Sequence, residues 1–353
     1  MVSQACVMVG AAGSDSQTRT IFMDAVGVQV SRVFRLLVAA LAVATIGLAV
    51  ASPRRSQGAE LSHPGCGTDV WVVSTRRLPG ICGLPNGANL GVERLDEASN
   101  CWVGSDVESL LADTSRPLMV FIHGNRYEAG EAKSQGIRLA RRLAACCPEA
   151  PPFRTVIFSW PSAQRGILLK DGRAKYDRSF ADGHYLAWLL GQVPPDRPVA
   201  IVSYSFGAII ALEAFEDLIA ANRAGRADIQ PWCQRQARTN VVFIAPAVRC
   251  DALAPRGPYA ETVACIDEFT LVINSDDDAL RFFPLLDCRQ RAEALGYVGM
   301  PSGWLPAEIG FTKTDAAGII GRNHGLPLYL DSARLSQKIC RGASAGLSEP
   351  PLP

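Results

Sequence analysis

Val199-Ala200-Ile201-Val202-Ser203-Tyr204-Ser205-Phe206-Gly207, running on into Ala208-Ile209-Ile210-Ala211-Leu212, is the stretch on which the fold turns. Val199 to Ser203 opens with a continuous apolar run, the signature of a strand buried on both faces of a parallel sheet. Ala208 to Ala221 is an apolar helix by pattern. The few residues between them force a tight turn, and the positions two before and two after Ser205 are the small residues Ser203 and Gly207. A serine at the apex of such a strand–turn–helix unit lifts its hydroxyl over the sheet edge. The Phe206 N–H then stands at a helix N-terminus, where developing negative charge is stabilised. Serine is also a preferred helix N-cap, which is the alternative role for Ser205.

Working outward, the same alternation repeats. Asp69 to Ser74 reads as a first strand, Leu78 to Leu90 as a Gly/Pro/Asn-rich loop, and residues 106–112 as a short helix. Leu118 to Ile122 is a buried strand ending in His123-Gly124-Asn125, followed by a helix over 129–146. Thr155 to Phe158 is another, ending at Ser159-Trp160-Pro161-Ser162, with a helix over 176–191. Val241 to Ala245, Phe269 to Ile273 and Ile309 to Thr312 supply further strands, and residues 332–340 a closing helix. Alternating strands and helices predict a mainly parallel central sheet with helices on both faces. Ligands in such folds bind beyond the carboxyl ends of the strands. The polar stretch Gln164 to Arg178 follows a strand end and is placed beside the pocket on that ground.

The chemistry-bearing residues cluster at those strand ends. Asn274-Ser275-Asp276-Asp277-Asp278-Ala279-Leu280 directly follows a strand and offers an acid to orient a histidine. The residues alone leave open which aspartate serves, with Asp278 as a helix cap and a solvated acidic turn as alternatives. Of His63, His123, His184 and His324, only His324 lies downstream of this acid, in the loop Gly321-Arg322-Asn323-His324-Gly325. Serine, acid, histidine is the chain order of the α/β-hydrolase fold. A backbone N–H near Asn125 is expected to be the second oxyanion donor, beside that of Phe206. His123 and His184 read as structural.

Composition narrows the partners. The chain has 353 residues, a net charge of +1 and 48% hydrophobic residues, with no basic block, so no nucleic-acid partner is expected. Arg32 and Arg35 precede the apolar run Leu36 to Ala51, which ends in Ala49-Val50-Ala51. Residues 1–51 therefore read as a signal peptide or an uncleaved signal anchor, the run of about 16 residues being short of the ~20 a spanning helix prefers. Met23 as the start would leave a short basic segment before it. Residues 52–65 read as a linker, 66–341 as the hydrolase domain and 342–353 as a disordered tail. Cys66, Cys82, Cys101, Cys146, Cys147, Cys233, Cys250, Cys265, Cys288 and Cys340 follow the apolar run. An even number in an exported chain predicts disulfides, with Cys250–Cys265 favoured across a Pro/Gly-rich loop and Cys66 with Cys82 or Cys101 as a weaker pairing. There is no CxxC pair or zinc spacing, so no metal site is expected.

Phe121-Ile122-His123-Gly124-Asn125, Phe158-Ser159-Trp160-Pro161-Ser162, the Ser205 turn and Asp277-Asp278-Ala279-Leu280, in this order, resemble a bacterial α/β-hydrolase family of unknown function. Val72-Val73-Ser74-Thr75-Arg76-Arg77 is similar to that family's first strand. The resemblance covers roughly residues 69–330 and implies Ser205 as nucleophile, Asp277 as acid and His324 as base. Here the turn reads Ser-Tyr-Ser-Phe-Gly, so the residues flanking the serine depart from the family's pattern. The expectation is an exported, periplasmic or secreted serine esterase needing no cofactor and acting on a small-molecule ester or lipid-like substrate. Membrane anchoring by residues 36–51 is the alternative location. A catalytically inactive envelope or binding protein, or an acyltransferase or thioesterase with the same triad, are the alternative functions.

Overall fold

The computed structural model describes residues 69–287 and 290–347. The apolar run 36–51, the linker, Cys66, Cys288 and the last six residues lie outside them. These described residues build one nine-stranded sheet in the order β3-β2-β1-β5-β4-β6-β7-β8-β9. The strands are β1 (Asp69–Ser74), β2 (Gly91–Asp96), β3 (Cys101–Ser105), β4 (Leu118–Ile122), β5 (Arg154–Ser159), β6 (Val199–Tyr204), β7 (Thr239–Ile244), β8 (Glu268–Ile273) and β9 (Gly310–Asp315). All pairings from β1 through β5, β4, β6, β7 and β8 to β9 are parallel. Only β1–β2 and β2–β3 are antiparallel. The helices are α1 (Val107–Ala112), α2 (Ala129–Cys146), α3 (Leu168–Leu190), α4 (Gly207–Arg223), α5 (Asp278–Arg281), α6 (Leu295–Val298), α7 (Ala317–Ile320), α8 (Leu326–Asp331) and α9 (Ala333–Ser344).

Sheet register shows which helices share a face. Ile157, Phe121, Val202, Val242 and Thr270 stand side by side across β5, β4, β6, β7 and β8, and partners in a parallel register point to the same side. Gly136 of α2 lies against Ile157, and Gly342 of α9 against Thr270. Gly207 of α4 instead abuts Ile122, one residue on and therefore on the other face, and Gly183 of α3 packs on Glu213 of α4. So α2 and α9 cover one face, α3 and α4 the other. The strands β4, β5, β6 and β7 are buried along their whole length, which is why they read as uninterrupted apolar runs. This is the α/β-hydrolase architecture that the strand–helix alternation predicts.

Three elements differ from the sequence reading. The β2–β3 hairpin is new: Val92 and Leu95 face the core while β3 is exposed. A half-buried edge hairpin shows only weak alternation, and its pairing with β1 supplies the order. Helix α3 starts at Leu168, eight residues before the expected start at 176. Its first turns carry Gly172 and several charges, poor signals of a helix. They are held because Gly172 packs on Leu286 and Asp171 accepts the Arg165 N–H at 3.0 Å. Helix α9 continues to Ser344, so residues 342–344 belong to the folded domain and not to the tail.

The disulfides also correct the expectation. Cys265 pairs with Cys233, Cα–Cα 4.3 Å, and not with Cys250. The 3-10 turn Ala260–Cys265 rests on α4, bringing Cys265 to the loop after that helix. The Cys250 N–H meanwhile donates to Glu293 O at 2.8 Å. Cys147 at the end of α2 pairs with Cys340 of α9, tying together two helices of one face. Among the described residues no helix is long and apolar enough to cross a membrane.

The α3–α4 contact contains a buried charge pair, His184 Nδ1 to Asp217 Oδ2 at 2.6 Å. Burial alone would lower the His184 pKa, but the Asp217 hydrogen bond and the charges of Asp217 and Glu213 outweigh it and raise it. A folded-state pKa above the unfolded value stabilises fully below the unfolded pKa, and the gain is lost as pH rises through the folded one. Asp217→Asn is therefore expected to destabilise by about 2 kcal/mol at pH 5.5, the worth of a charged buried hydrogen bond, and by clearly less at pH 9. Urea unfolding at the two pH values measures this. Equal losses at both would show that the pair does not depend on the imidazolium.

Candidate active site

The turn after β6 is strained. Ser205 has φ +54°, in the left-handed region that a side chain disfavours. Its N–H donates to Ile244 O at 3.0 Å, and its carbonyl accepts the N–H groups of Ala208 and Ala247, both at 3.1 Å. Two glycines make room for it. A Cβ on Gly207 would collide with the Ile122 carbonyl oxygen, and one on Gly124 would lie 3.0 Å from the Ser205 Cβ. The small residue expected at Gly207 is thus demanded by the close approach of β4. Ser203 is fully buried.

Asp277, His324 and Ser205 come together from three loops. The His324 Nε2 lies 2.9 Å from Ser205 Oγ, and its Nδ1 lies 2.6 Å from Asp277 Oδ2. A carboxylate only accepts, so Nδ1 carries the proton and Nε2 presents a lone pair to the serine hydroxyl. Asp277 is fully buried and is itself the N-cap of α5, its Oδ1 accepting the N–H groups of Ala279 and Leu280 at 2.9 and 3.0 Å. The cap is therefore Asp277 and not Asp278. Asp278 instead forms a partly exposed pair with Arg322, and Asp276 faces solvent.

Two residues that the sequence reading did not single out hold the histidine loop. Asn274 Nδ2 donates to the carbonyls of Gly321 and Asn323 at 2.8 and 3.0 Å. The Tyr204 hydroxyl donates to the His324 carbonyl. An amide directly after an apolar strand, and a tyrosine beside the serine, were the available signals. His123 is buried 5.8 Å from Trp160 ring to ring, and His184 lies on α3, so neither joins Ser205. The N–H groups of Phe206 and Asn125 donate to no group of the described residues. From the 164–178 stretch, the Tyr176 ring meets Phe206 at 6.1 Å and Phe283 at 5.9 Å. That stretch does border the serine turn. A cleft of about 750 Å³ lined by Asp69, Trp71, Arg94, Arg116 and Arg154 opens elsewhere, at the amino ends of β1 and β5. Among the described residues no cluster could hold a metal ion.

The strain at Ser205 can be isolated with two variants that both lack the hydroxyl. Ser205→Gly is expected to be more stable than Ser205→Ala by about 1 kcal/mol, because glycine enters the left-handed region freely. Urea denaturation midpoints compare them, and an alanine variant at least as stable as the glycine one would refute a strained turn.

Among solved structures, the chain is similar to an inhibited esterase B from Lactobacillus rhamnosis, at 12% identity and TM-score 0.34, over 72% of this chain and 81% of that one. It is similar to a bacterial heroin esterase at 14% identity and TM-score 0.34, over 78% and 84%. EstE1, a carboxylesterase cloned from a metagenomic library, matches at 14% and 0.32, over 74% and 87%. No curated protein matches the chain. Residues 98–298, more than half of the chain, match the model of a family described as α/β-hydrolases of unknown function, DUF900. With its parallel sheet and Ser205 turn, this chain belongs to that α/β-hydrolase family.

Proposed function

We propose that the chain is an exported serine hydrolase that cleaves ester-like bonds through Ser205, His324 and Asp277. The observation that carries this reading is the unbroken hydrogen-bond chain Asp277–His324–Ser205, at 2.6 and 2.9 Å. His324 Nε2 takes the Ser205 proton as Oγ attacks the acyl carbon. Asp277 keeps the imidazole in the required tautomer and stabilises the imidazolium that forms. The N–H groups of Phe206 and Asn125 receive the oxyanion of the tetrahedral intermediate. His324 then protonates the leaving alcohol, and an acyl-Ser205 remains. Water deprotonated by His324 attacks that ester, and the acyl–Oγ bond breaks as His324 returns the proton to Ser205 and the acid is released. The chemistry calls for no metal and no organic cofactor. The substrate class is a small-molecule or lipid-like ester. Export is supported by the disulfides Cys147–Cys340 and Cys233–Cys265, a form of crosslink rare in reducing compartments.

A fluorophosphonate probe is expected to label the purified protein on Ser205, mapped by mass spectrometry, and to leave Ser205→Ala unlabelled. His324→Ala and Asp277→Asn are expected to lower kcat on a p-nitrophenyl ester by about 10³-fold or more each, without adding up when combined. Folded protein that takes no label would favour the catalytically inactive binding-protein alternative. Full activity in His324→Ala would remove the base assignment.

A further inference from the structure

His123 ends β4 fully buried, and the acyl-transfer steps above do not use it. Both of its ring nitrogens are engaged. Nδ1 lies 2.9 Å from the Gly124 carbonyl oxygen. Nε2 lies 3.3 Å from the Trp160 N–H nitrogen and 3.4 Å from Arg76 Nη2. A carbonyl can only accept, while an amide N–H and a guanidinium can only donate. The ring therefore carries its proton on Nδ1 and offers its lone pair at Nε2. Burial, reinforced by the Arg76 charge and opposed by the Gly124 hydrogen bond, holds its pKa down at about 3. It stays neutral, in one tautomer, across the working pH range.

The Gly124 carbonyl belongs to the same planar trans peptide as the Asn125 N–H. In such a unit C=O and N–H point in opposite directions, so fixing one fixes the other. With the carbonyl held on the His123 ring, the Asn125 N–H points away from it. Gly124 itself packs against Ser205, and the Asn125 N–H donates to nothing else described.

The rest of this loop is fastened from outside. Arg126 N–H donates to Ser162 O at 2.8 Å, and Tyr127 N–H to Ser162 Oγ at 3.2 Å. Trp160 Nε1 donates to the His123 carbonyl at 2.8 Å. Arg76 donates to Ser159 Oγ at 2.8 Å and to Tyr127 O at 3.0 Å. Arg76 and the segment Ser159-Trp160-Pro161-Ser162 thus converge on His123 and on Arg126 and Tyr127 of the loop that follows it.

We infer that His123 is a positioning residue, whose Nδ1–H grips the Gly124 carbonyl so that the Asn125 N–H is aimed at the oxyanion before substrate arrives. Arg76 and the Ser159–Ser162 segment hold the ring in that tautomer. The inference rests on the serine-hydrolase reading and adds to it the device that pre-orients one of its two oxyanion donors.

The test compares His123→Asn with His123→Gln in the full chain. Asparagine can place an amide N–H where Nδ1 stands; glutamine reaches the Nε2 position and leaves the Gly124 carbonyl ungripped. With a p-nitrophenyl ester, His123→Gln is expected to lose about 100-fold in kcat with KM within about twofold, as for removal of one oxyanion donor. His123→Asn is expected to regain at least about tenfold of that loss. Equal kcat in the two variants, or losses that follow KM or thermal stability instead of kcat, would overturn the inference and leave Ser205 labelling intact. A wild type that neither labels nor turns over ester removes the hydrolase reading and the His123 role with it.

Discussion

The left-handed backbone of Ser205 is the constraint around which this molecule is arranged. Such a conformation in a residue with a side chain costs on the order of 1–3 kcal/mol and persists only where its surroundings over-determine it. Here they do. The Ser205 N–H and carbonyl are both tied to the segment that closes β7, and β4 presses in from the other side so closely that neither Gly124 nor Gly207 can bear a Cβ without a clash. The long burial of β4, β6 and β7 supplies the stability against which this local strain is held. The gain is positional: the hydroxyl is carried off the strand end, and the next N–H opens α4.

Everything else in the site is fitted to that turn by backbone recognition. Asp277 satisfies two N–H groups at the start of α5 with one oxygen and holds His324 with the other, so helix capping and histidine alignment are one act. Asn274 and Tyr204 hold the histidine loop by its carbonyls, independent of its side chains. Tyr204 precedes Ser205 directly and so links the strand β6 to the His324 loop. The Gly124–Asn125 peptide, which packs against Ser205, is held in the same manner by its carbonyl on the His123 ring. Arg76 and the Ser159 to Ser162 segment find their place as supports of His123 and of the loop that follows it.

The disulfides act at a distance from this chemistry. Cys147–Cys340 joins the helices of one face, and Cys233–Cys265 braces the loop beyond α4. Both restrain helices that flank the central strands, which is where a chain of mostly parallel strands relies on its crossovers for cover.

What the sequence determined by itself is what local stereochemistry controls. Unbroken apolar runs such as Leu118 to Ile122 and Val199 to Ser203, bounded by polar and turn residues, read as strands covered on both faces. A serine between such a strand and a helix, flanked at two residues by the small Ser203 and Gly207, reads as the apex of a tight turn. The order Ser205, an acid near Asp277, then His324 was legible for the same reason. The tertiary structure decided every choice between near-equivalent partners. Asp277 was separated from Asp276 and Asp278 by which carboxylate faces a histidine 47 residues away. Cys233 was preferred to Cys250 for Cys265 by how a short 3-10 turn lies on α4. The β2–β3 hairpin and the first turns of α3 took their order from neighbours, their own periodicity being weak. Nor could His123's tautomer be read from a chain, because it is written by Gly124, Trp160 and Arg76 meeting around one ring. Turn geometry and burial periodicity act over a few residues, whereas the selection of a hydrogen-bond partner depends on the orientation of distant loops that only the folded sheet brings together.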